Sequence, residues 1–309
     1  GSVMSTWQRY CGALAALAML LALRPVTAQE RFSLFVGSAP ATVDRMVRMA
    51  GLRDSDSVMD LGSGDGRIVF AAAQSNDTVR GVGVDIDGRL VAQSNAQAEK
   101  LNIADRVKFL HQNAFDADLS EVDVIFMWFF PELMRLVRVK ILEQAKPGTR
   151  VVAALWGFGS WQPDLSETES PEVHMWIVPA KVGGYWNWQL DIAGRKLDYA
   201  AVFEQQFQKL EGVVRTESRH GIFHDLSLRG REVSFVLMMT LPDLGFTRHE
   251  FTGRVNGDSM EGVVKITLPP KPEEEDDDKL ETRVIPWTAQ RVQTSSFFAP
   301  VGIPILDQK

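Results

Sequence analysis

The sequence predicts two folded parts in succession: an α/β unit with a mostly parallel sheet, then an antiparallel all-β barrel or sandwich. From residue 57 to about residue 150, short apolar runs alternate with helix-period patterns, which is typical of βαβ units. A glycine-rich turn joins the first apolar run to the first helix. From about residue 183 onward, apolar and polar residues alternate between turn signals, and this pattern favours antiparallel strands.

The elements of the α/β unit are predicted from the period of its apolar residues. A helix over residues 41–50 precedes the first strand. The later helices are predicted to begin at Gly66, near Asp87 and at Pro131. Pro131 is suited to a helix start, because proline is tolerated in a first helical turn. The fourth predicted strand, over residues 122–129, is nearly continuously apolar, so we expect it in the middle of a sheet that is covered on both faces. The predicted strands cover residues 57–61, 79–84, 107–110, 122–129 and 150–155.

The β-rich half is expected after a polar loop over residues 163–172 and a strand over residues 174–178. Asn256-Gly257 and Arg229-Gly230-Arg231 are hairpin signals between alternating runs. Residues 269–281 contain an acidic run and several prolines, so they cannot bury apolar area and are expected to form a mobile loop. The predicted strands of this half cover residues 203–214, 221–228, 232–240, 250–255, 262–268 and 284–292.

The first 28 residues are expected to lie outside both folded parts. Residues 1–3 resemble a vector-derived remnant, and the apolar block over residues 11–23 resembles a signal peptide or a short membrane anchor. This block predicts export to the periplasm or association with the inner membrane. The predicted domains are then 29–182 for the α/β unit and 183–294 for the β-rich unit, with a tail over 295–309.

Composition limits the classes of function. The apolar content of 45% and the charged content of 24% are ordinary for a globular protein, and the net charge is −7. Basic residues are scattered and are not interleaved with aromatic residues along one stripe, so no nucleic-acid groove is predicted. The one cysteine, Cys11, lies in the apolar block, which excludes disulfides and cysteine chemistry from the predicted folded parts.

The glycine-rich turn after the first strand carries the strongest functional signal. Gly62, Gly64 and Gly66 follow the acid Asp60, and a second acid, Asp85, ends the next predicted strand. An acid at that position is suited to binding ribose hydroxyls. The third glycine comes one residue too early for a dinucleotide-binding turn, and Asp60 would repel a pyrophosphate. S-adenosylmethionine, which carries a positive charge and no phosphate, fits better; the alternative is a structural turn without a ligand.

The chain resembles class I S-adenosylmethionine-dependent methyltransferases with a Rossmann-like fold. More narrowly, it resembles bacterial relatives of the mitochondrial protein-lysine methyltransferase family that includes the ATP synthase c-subunit enzyme. The resemblance covers about residues 35 to 182. It rests on DLGSGDGR at residues 60–67, GVDID at 83–87, FDADL at 115–119, FPE at 130–132, KPGTRVV at 146–152 and WIVPA at 176–180.

The resemblance implies roles for individual residues of this sequence. Asp60, Gly62 and Gly64 would hold the methionine portion of the cofactor, Asp85 would bind the ribose, and Asn113 would lie near the adenine amine. The full cofactor-binding set implied here is Asp60, Gly62, Ser63, Gly64, Asp65, Asp85, Ile86, Asn113 and Ala114, with S-adenosylhomocysteine as the product. Asp65 also fits a purely structural role in the turn, and Asn113 replaces the acid that relatives often carry.

The end of the fourth predicted strand is where the substrate of such a fold is expected. Trp128, Phe130 and Pro131 can pack around an alkylamine, and Glu132 can orient the amine; core packing and a helix first-turn acid are the structural alternatives. His220 and His224 are four residues apart in a predicted turn and strand, and no metal site is predicted.

Three functions stay open at this point. The first is N-methylation of a protein lysine. The second is methylation of a small molecule, and the third is a non-catalytic cofactor-binding scaffold whose β-rich unit binds a lipid or a partner. The N-terminal segment adds membrane association to the expected partners. Because the cofactor is made in the cytoplasm, a cytoplasm-facing location competes with export. The oligomeric state is not predicted.

Overall fold

A computed structural model of the 309-residue chain describes residues 39–129, 131–271 and 280–293. The N-terminal apolar block, Phe130, the acidic run and the predicted tail lie outside these residues. Among the helices that are described, none has the length and apolar character needed to cross a membrane.

Seven strands, counted over the described residues, form the sheet of the α/β unit. Their order is β3-β2-β1-β4-β5-β7-β6; the first five are parallel, and β7 runs antiparallel to both of its neighbours. The strands are β1 (Ser57–Leu61), β2 (Arg80–Asp85), β3 (Val107–His111), β4 (Val124–Met127), β5 (Arg150–Ala154), β6 (Leu165–Glu167) and β7 (Val173–Ile177). The helices are α1 (Ala39–Ala50), α2 (Arg67–Ser75), α3 (Gly88–Lys100) and α4 (Pro131–Gln144).

The predicted α/β elements are confirmed, with two corrections. The fourth strand is shorter than residues 122–129, because its ladder with β5 ends at the pair Met127 and Ala153, and Trp128 and Phe129 leave the sheet. The predicted polar loop over 163–172 contains β6, a three-residue edge strand that pairs only with β7 in the described sheet. Its Leu165-Ser166-Glu167 sequence is too short to show an alternating pattern.

Eight antiparallel strands of the described chain form a closed barrel, so the barrel alternative is correct and the sandwich is not. The last strand pairs with the first, which removes exposed sheet edges. The strands are β8 (Gly184–Ile192), β9 (Arg195–Gln206), β10 (Lys209–Thr216), β11 (Arg219–Arg229), β12 (Glu232–Leu241), β13 (Gly245–Asn256), β14 (Ser259–Leu268) and β15 (Glu281–Val292).

Three details of the predicted barrel were wrong. Residues 203–214 are not one strand, because the chain reverses at Phe207, whose φ is +55°, between β9 and β10. The strand β8 and the first part of β9 were not predicted as separate strands. The expected loop over 269–281 ends earlier, since Glu281 is the first residue of β15. Both predicted hairpins, at Gly230 and at Asn256-Gly257, are present.

Aromatic rings pack across the barrel interior. Trp188 stacks on Tyr199 with ring centroids 5.7 Å apart and meets Phe251 and Trp287 edge-on at 5.5 and 5.7 Å. An eight-stranded barrel has an interior about wide enough for side chains to fill. The interior is therefore a core of packed rings. The rings of this core belong to Trp186, Trp188, Tyr199, Phe203, Phe223, Phe235, Phe251 and Trp287.

The barrel is fixed against the α/β unit by direct contacts. Phe207, at the tip of the β9–β10 hairpin, stacks on Trp161 at 5.8 Å, and the guanidinium of Arg138 lies 5.5 Å from the Phe207 ring centroid. The tip of the β11–β12 hairpin accepts a hydrogen bond at the Gly230 carbonyl from the Ala180 amide (2.8 Å). Stacking, a cation–π contact and a backbone hydrogen bond together hold the two parts in one arrangement.

Candidate active site

The predicted cofactor residues meet at the carboxyl ends of the parallel strands. The glycine-rich turn leaves β1, Asp85 ends β2, and Asn113 follows β3. Because neighbouring parallel strands end at the same edge of the sheet, these loops lie side by side. In open α/β sheets, ligands bind in the crevice outside this edge, where the strand order reverses. Here the order reverses between β1 and β4, directly beside the glycine-rich turn.

The glycine-rich turn has a backbone that favours glycine. Gly62, Gly64 and Gly66 have φ values of +84°, +53° and +83°, in the left-handed region. The amides of Gly62 and Ser63 both donate to the Val84 carbonyl, at 2.8 and 2.9 Å, so β2 holds the turn in place. A Cβ built on Gly64 would meet nothing within 4 Å. The turn therefore presents bare backbone to open space at this point.

Gly66 and Gly83 have a different role, which is close packing. A Cβ on Gly66 would lie 2.7 Å from the ring of Phe109, and a Cβ on Gly83 would lie 2.4 Å from the same ring. These distances are too short for real carbon contacts. The ring of Phe109 fills the space beneath the turn, and α2 can approach the sheet only because both residues lack side chains.

Asp85 is held in a fixed orientation by backbone amides. One carboxylate oxygen accepts from the Gly64 amide and the other from the Asp87 amide, both at 2.8 Å. Asp85 thus links the glycine-rich turn to the start of α3, where Asp87 caps the helix by accepting from the amides of Arg89 and Leu90. Each carboxylate oxygen has further lone pairs available, so Asp85 can accept additional hydrogen bonds from a ligand.

Asp60 is a buried acid beneath this turn. Its exposed fraction is 3%, and burial raises the pKa of its carboxyl well above the usual value; the negative charges of Asp85 and Asp65 raise this pKa further. A buried carboxylate beside two other acids is unfavourable unless a cation lies nearby. The site is therefore suited electrostatically to a ligand with a positive charge, and it disfavours a pyrophosphate.

A cleft of about 260 Å³ is lined by one of these acids, Asp85. Asp85 and the 73% exposed Ile86 form one side, and Asn113 and Ala114 form another. This arrangement brings together five of the predicted cofactor residues, counting Gly62. The remaining lining residues are Val84, Gln112, Phe115, Phe129 and Leu133. Ile86, which directly follows Asp85, thus presents an exposed apolar side chain to this cleft.

The residues present fit S-adenosylmethionine. The Ser63 hydroxyl is buried and has no hydrogen-bond partner among the described residues, so a polar ligand group is needed to satisfy it. The open space before Gly64 gives a ligand access to the backbone, and the buried Asp60 matches a positive charge. An unpartnered buried hydroxyl, an open stretch of backbone and a buried acid whose ionised form a cation would stabilise are features that suit the methionine end of this cofactor.

Two other predicted cofactor residues make contacts within the protein. The Asp65 carboxylate accepts from the Arg67 side chain, at 2.9 Å from Nε, and this bond lowers the pKa of Asp65. The Asn113 side-chain oxygen accepts from the Phe115 amide at 3.0 Å and so caps the short 3₁₀ helix Ala114–Asp116. The ion pair with Arg67 explains Asp65 as a structural residue of the turn. Asn113 both caps the 3₁₀ helix and lines the cleft.

The predicted substrate residues lie around the start of α4. Trp128 is half-buried, Pro131 is the first residue of α4, and Glu132 is exposed in its first turn. Phe130 lies outside the described residues. The residues on either side, Phe129 and Leu133, do line the cleft. Pro131 and the exposed Glu132 therefore lie in the chain between two cleft-lining residues.

Sequence reasoning missed some features of the site. Gln112 and Leu133 line the cleft but were not singled out; the position of Gln112 directly after β3 was the available signal. At the end of β5, Leu155 has a φ of +70°, and the Trp156 amide donates to the Ala154 carbonyl at 2.9 Å across it. This is a strained γ-turn. No pattern in the sequence indicates it.

Within the described residues, no group of His, Cys, Asp and Glu side chains is arranged to hold a metal ion.

Comparisons with known proteins match the α/β unit. The model of the ANTKMT methyltransferase domain matches residues 60–165, which ends before the barrel begins. The protein-lysine N-methyltransferase of Saccharolobus islandicus is 33% identical over 129 residues, covering 42% of this chain and 80% of that protein. The human ATP synthase c-subunit lysine N-methyltransferase is 29% identical over 130 residues, covering 42% of this chain and 54% of that protein. The chain thus spans only about half the length of the human relative.

Among solved structures, an RNA methyltransferase from Salinibacter ruber in complex with S-adenosyl-L-homocysteine is 38% identical. It covers 46% of this chain and 94% of that chain, with a TM-score of 0.45.

Proposed function

The chain belongs to the family of S-adenosylmethionine-dependent methyltransferases that includes the protein-lysine N-methyltransferase of Saccharolobus islandicus, and we propose that it methylates a lysine side chain of a protein. The enzyme class follows from the family. The lysine acceptor is our proposal, because the names of relatives describe those relatives alone.

We assign the cofactor to the cleft beside the glycine-rich turn. S-adenosylmethionine, when bound, supplies a methyl group that its sulfonium charge makes electrophilic. Asp85 would accept hydrogen bonds from the ribose hydroxyls, and Ile86 would contact the adenine. Asp60 and Ser63, with the backbone of Gly64, would hold the charged methionine end. One observation carries this assignment. Asp60, whose pKa is raised by burial, lies beneath the open glycine-rich turn, and Asp85 at the end of the next strand is already held in orientation by two backbone amides.

We assign the methyl acceptor to the rim formed by the segment after β4. A lysine must lose a proton before it can attack, and an aromatic, water-poor mouth lowers its pKa from about 10.4. Trp128 and Phe129 would provide apolar surface for the alkyl stem, and Glu132, in the first turn of α4, would orient the amine. Alignment of the nucleophile with the methyl group can lower the barrier to transfer by about 7–11 kcal/mol.

The proposal is tested by following label from the cofactor. Purified protein is incubated with cell extract and S-adenosylmethionine labelled in the methyl group, and the products are separated into protein, RNA and small-molecule fractions. Acid hydrolysis of the protein fraction then identifies the labelled residue. We expect label in methylated lysine, dependent on active enzyme.

Two variants serve as controls. Asp85→Asn removes a charge that the cofactor needs and should abolish labelling, whereas Asp105→Asn changes an exposed acid of the same unit and should leave labelling unchanged. Label in RNA would replace the lysine proposal with an RNA substrate, and label confined to small molecules would favour the second function considered. Tight cofactor binding without transfer to any fraction would contradict catalysis.

A further inference from the structure

A second cavity, of about 580 Å³, lies at the opposite end of the sheet from the cofactor cleft. Three of its α/β residues, Asp123, Lys146 and Arg150, precede or begin β4 and β5 and so lie at the amino ends of these parallel strands. Its barrel residues come from the β11–β12 hairpin and from the end of β13. The size falls within the range of small-ligand sites, about 300–1,000 Å³. The family model does not extend to the barrel residues of this cavity.

The lining of this cavity is strongly basic. Two of its cations already have acidic partners: Arg150 donates to Asp56 at 2.6 Å, and Lys146 lies 2.8 Å from Asp123. Four further arginines line it, and across the described residues their guanidinium groups make no hydrogen bond or ion pair. The one other acid in the lining is Glu232. These arginines are Arg53, Arg229, Arg231 and Arg254.

This concentration of positive charge does not reflect the protein as a whole, whose net charge is −7. Burial raises the pKa of Asp164, which is not a lining residue, and the charge of Arg229 opposes that shift. Arginines that line the same cavity repel one another, because like charges at short range are unfavourable. A bound anion reverses the sign of this interaction. Arginine is the side chain best suited to phosphate, since its planar fork donates two parallel hydrogen bonds.

The backbone holds the hairpin arginines in position. A Cβ on Gly230 would lie 3.0 Å from the Gly148 Cα, so the hairpin tip contacts the loop before β5 through two glycines. The Gly230 carbonyl accepts from the Ala180 amide, and the Arg231 carbonyl accepts from the Val255 amide, both at 2.8 Å. Arg229 and Arg231, on either side of this anchored glycine, are therefore presented to the cavity by a fixed backbone.

We propose that this basic cavity binds a multivalent phosphate anion between the methyltransferase unit and the barrel. The shared chemistry is two or more linked or adjacent phosphate groups, carried by a soluble oligophosphate or by an anionic lipid headgroup. Because Arg150 and Lys146 belong to the α/β unit and Arg229, Arg231 and Arg254 to the barrel, such a ligand joins both parts. The proposal does not depend on which substrate is methylated.

The test measures binding of inorganic tripolyphosphate to the full chain by calorimetry, and binding to vesicles of phosphatidylcholine with and without phosphatidic acid by co-sedimentation. The double variant Arg229→Gln/Arg231→Gln removes two hairpin cations, and Arg254→Gln removes one from β13. The matched control is Arg219→Gln, at the other, exposed end of the same strand β11. S-adenosylhomocysteine affinity is measured for each variant to verify that the fold is intact.

We expect saturable binding that weakens about tenfold for each arginine removed, since charge-assisted bonds to phosphate are the strong ones. The control should bind as the unsubstituted chain does. Saturable binding of tripolyphosphate identifies a soluble oligophosphate as the ligand class. Binding only to vesicles that contain phosphatidic acid identifies a lipid headgroup. Either result supports the site if the arginine variants lose that binding. The proposal is overturned if neither probe binds at about 1 mM, or if Arg219→Gln weakens binding as much as the hairpin variants.

Discussion

The buried histidine of the barrel makes acid destabilisation of this protein quantitatively predictable. His249 is fully buried, its Nε2 lies 2.7 Å from the Tyr199 hydroxyl, and its Nδ1 lies 3.2 Å from the Leu237 carbonyl. Burial lowers its pKa to about 4, against the usual value of 6.5. Burial also raises the pKa of Tyr199, so both members of the pair are neutral near pH 7.

Between these two pKa values the unfolded chain binds a proton at His249 and the folded chain does not. Stability from this group is therefore complete above pH 6.5 and is lost as the pH falls toward 4. The linkage relation gives a loss of about 2 kcal/mol at pH 5 and about 3 kcal/mol near pH 4.

The perturbation that isolates this effect is His249→Gln, which is neutral at every pH. Urea unfolding at pH 7 and pH 5, followed by tryptophan fluorescence, gives the free energy of unfolding of both proteins. We expect the variant to be less stable at pH 7, because the Tyr199 hydroxyl bond is altered. Its further loss from pH 7 to pH 5 should be smaller than that of the unsubstituted chain by about 2 kcal/mol.

An NMR titration of the histidine rings provides the second measurement. The His249 ring should stay neutral down to about pH 4 in the folded protein. Equal pH dependence of the two proteins, or a folded-state titration of His249 near its usual pKa of about 6.5, would refute the reasoning and would show that water reaches the barrel interior.

Three further outcomes follow from the α/β unit. Asp85→Ala should weaken S-adenosylhomocysteine binding, measured by calorimetry, about a hundredfold or more, through loss of two charge-assisted bonds; a change below about threefold would contradict the ribose role. Gly66→Ala should lower the free energy of unfolding by about 2 kcal/mol or more, because the added Cβ overlaps the Phe109 ring and the φ is unfavourable for alanine. Gly51→Ala is the control, because there only the φ is unfavourable. Equal losses of stability in urea titrations of the two variants would contradict the packing role of Gly66. Asp56→Ala should cost about 3 kcal/mol by leaving the buried guanidinium of Arg150 without its acid, and thermal unfolding that shows less than about 1 kcal/mol would contradict that.

The cofactor side of the fold could be predicted because local rules and tertiary packing agree there. The apolar run of β1, the three glycines and the acid at Asp85 all predict the same βαβ unit, and the structure places Gly62, Asp85 and Asn113 around one cleft. The raised pKa of Asp60 could not be predicted, because it depends on burial and on acids that only the folded chain brings close.

The turns between barrel strands show where sequence patterns stop being informative. The reversal at Phe207 uses a non-glycine residue with positive φ, and its cost is offset by stacking on Trp161 in the other part of the protein. A tertiary contact of this kind leaves no local signal. The edge strand β6 was missed for a related reason, since only its pairing with β7 makes it a strand. The basic cavity likewise joins residues that are far apart in the sequence, such as Arg53 and Arg229.

The interlocked rings inside the barrel have a consequence for how new functions arise in this protein. Because indole and phenyl groups fill the barrel, a substitution inside it changes the stability of the protein before it changes the binding of any ligand or partner. Substitutions that create new binding functions should therefore occur on the outer surface of the barrel and at the hairpin tips, where a changed residue contacts solvent or a neighbouring unit. Divergence among close relatives should accordingly concentrate at those tips, while the ring positions change only together.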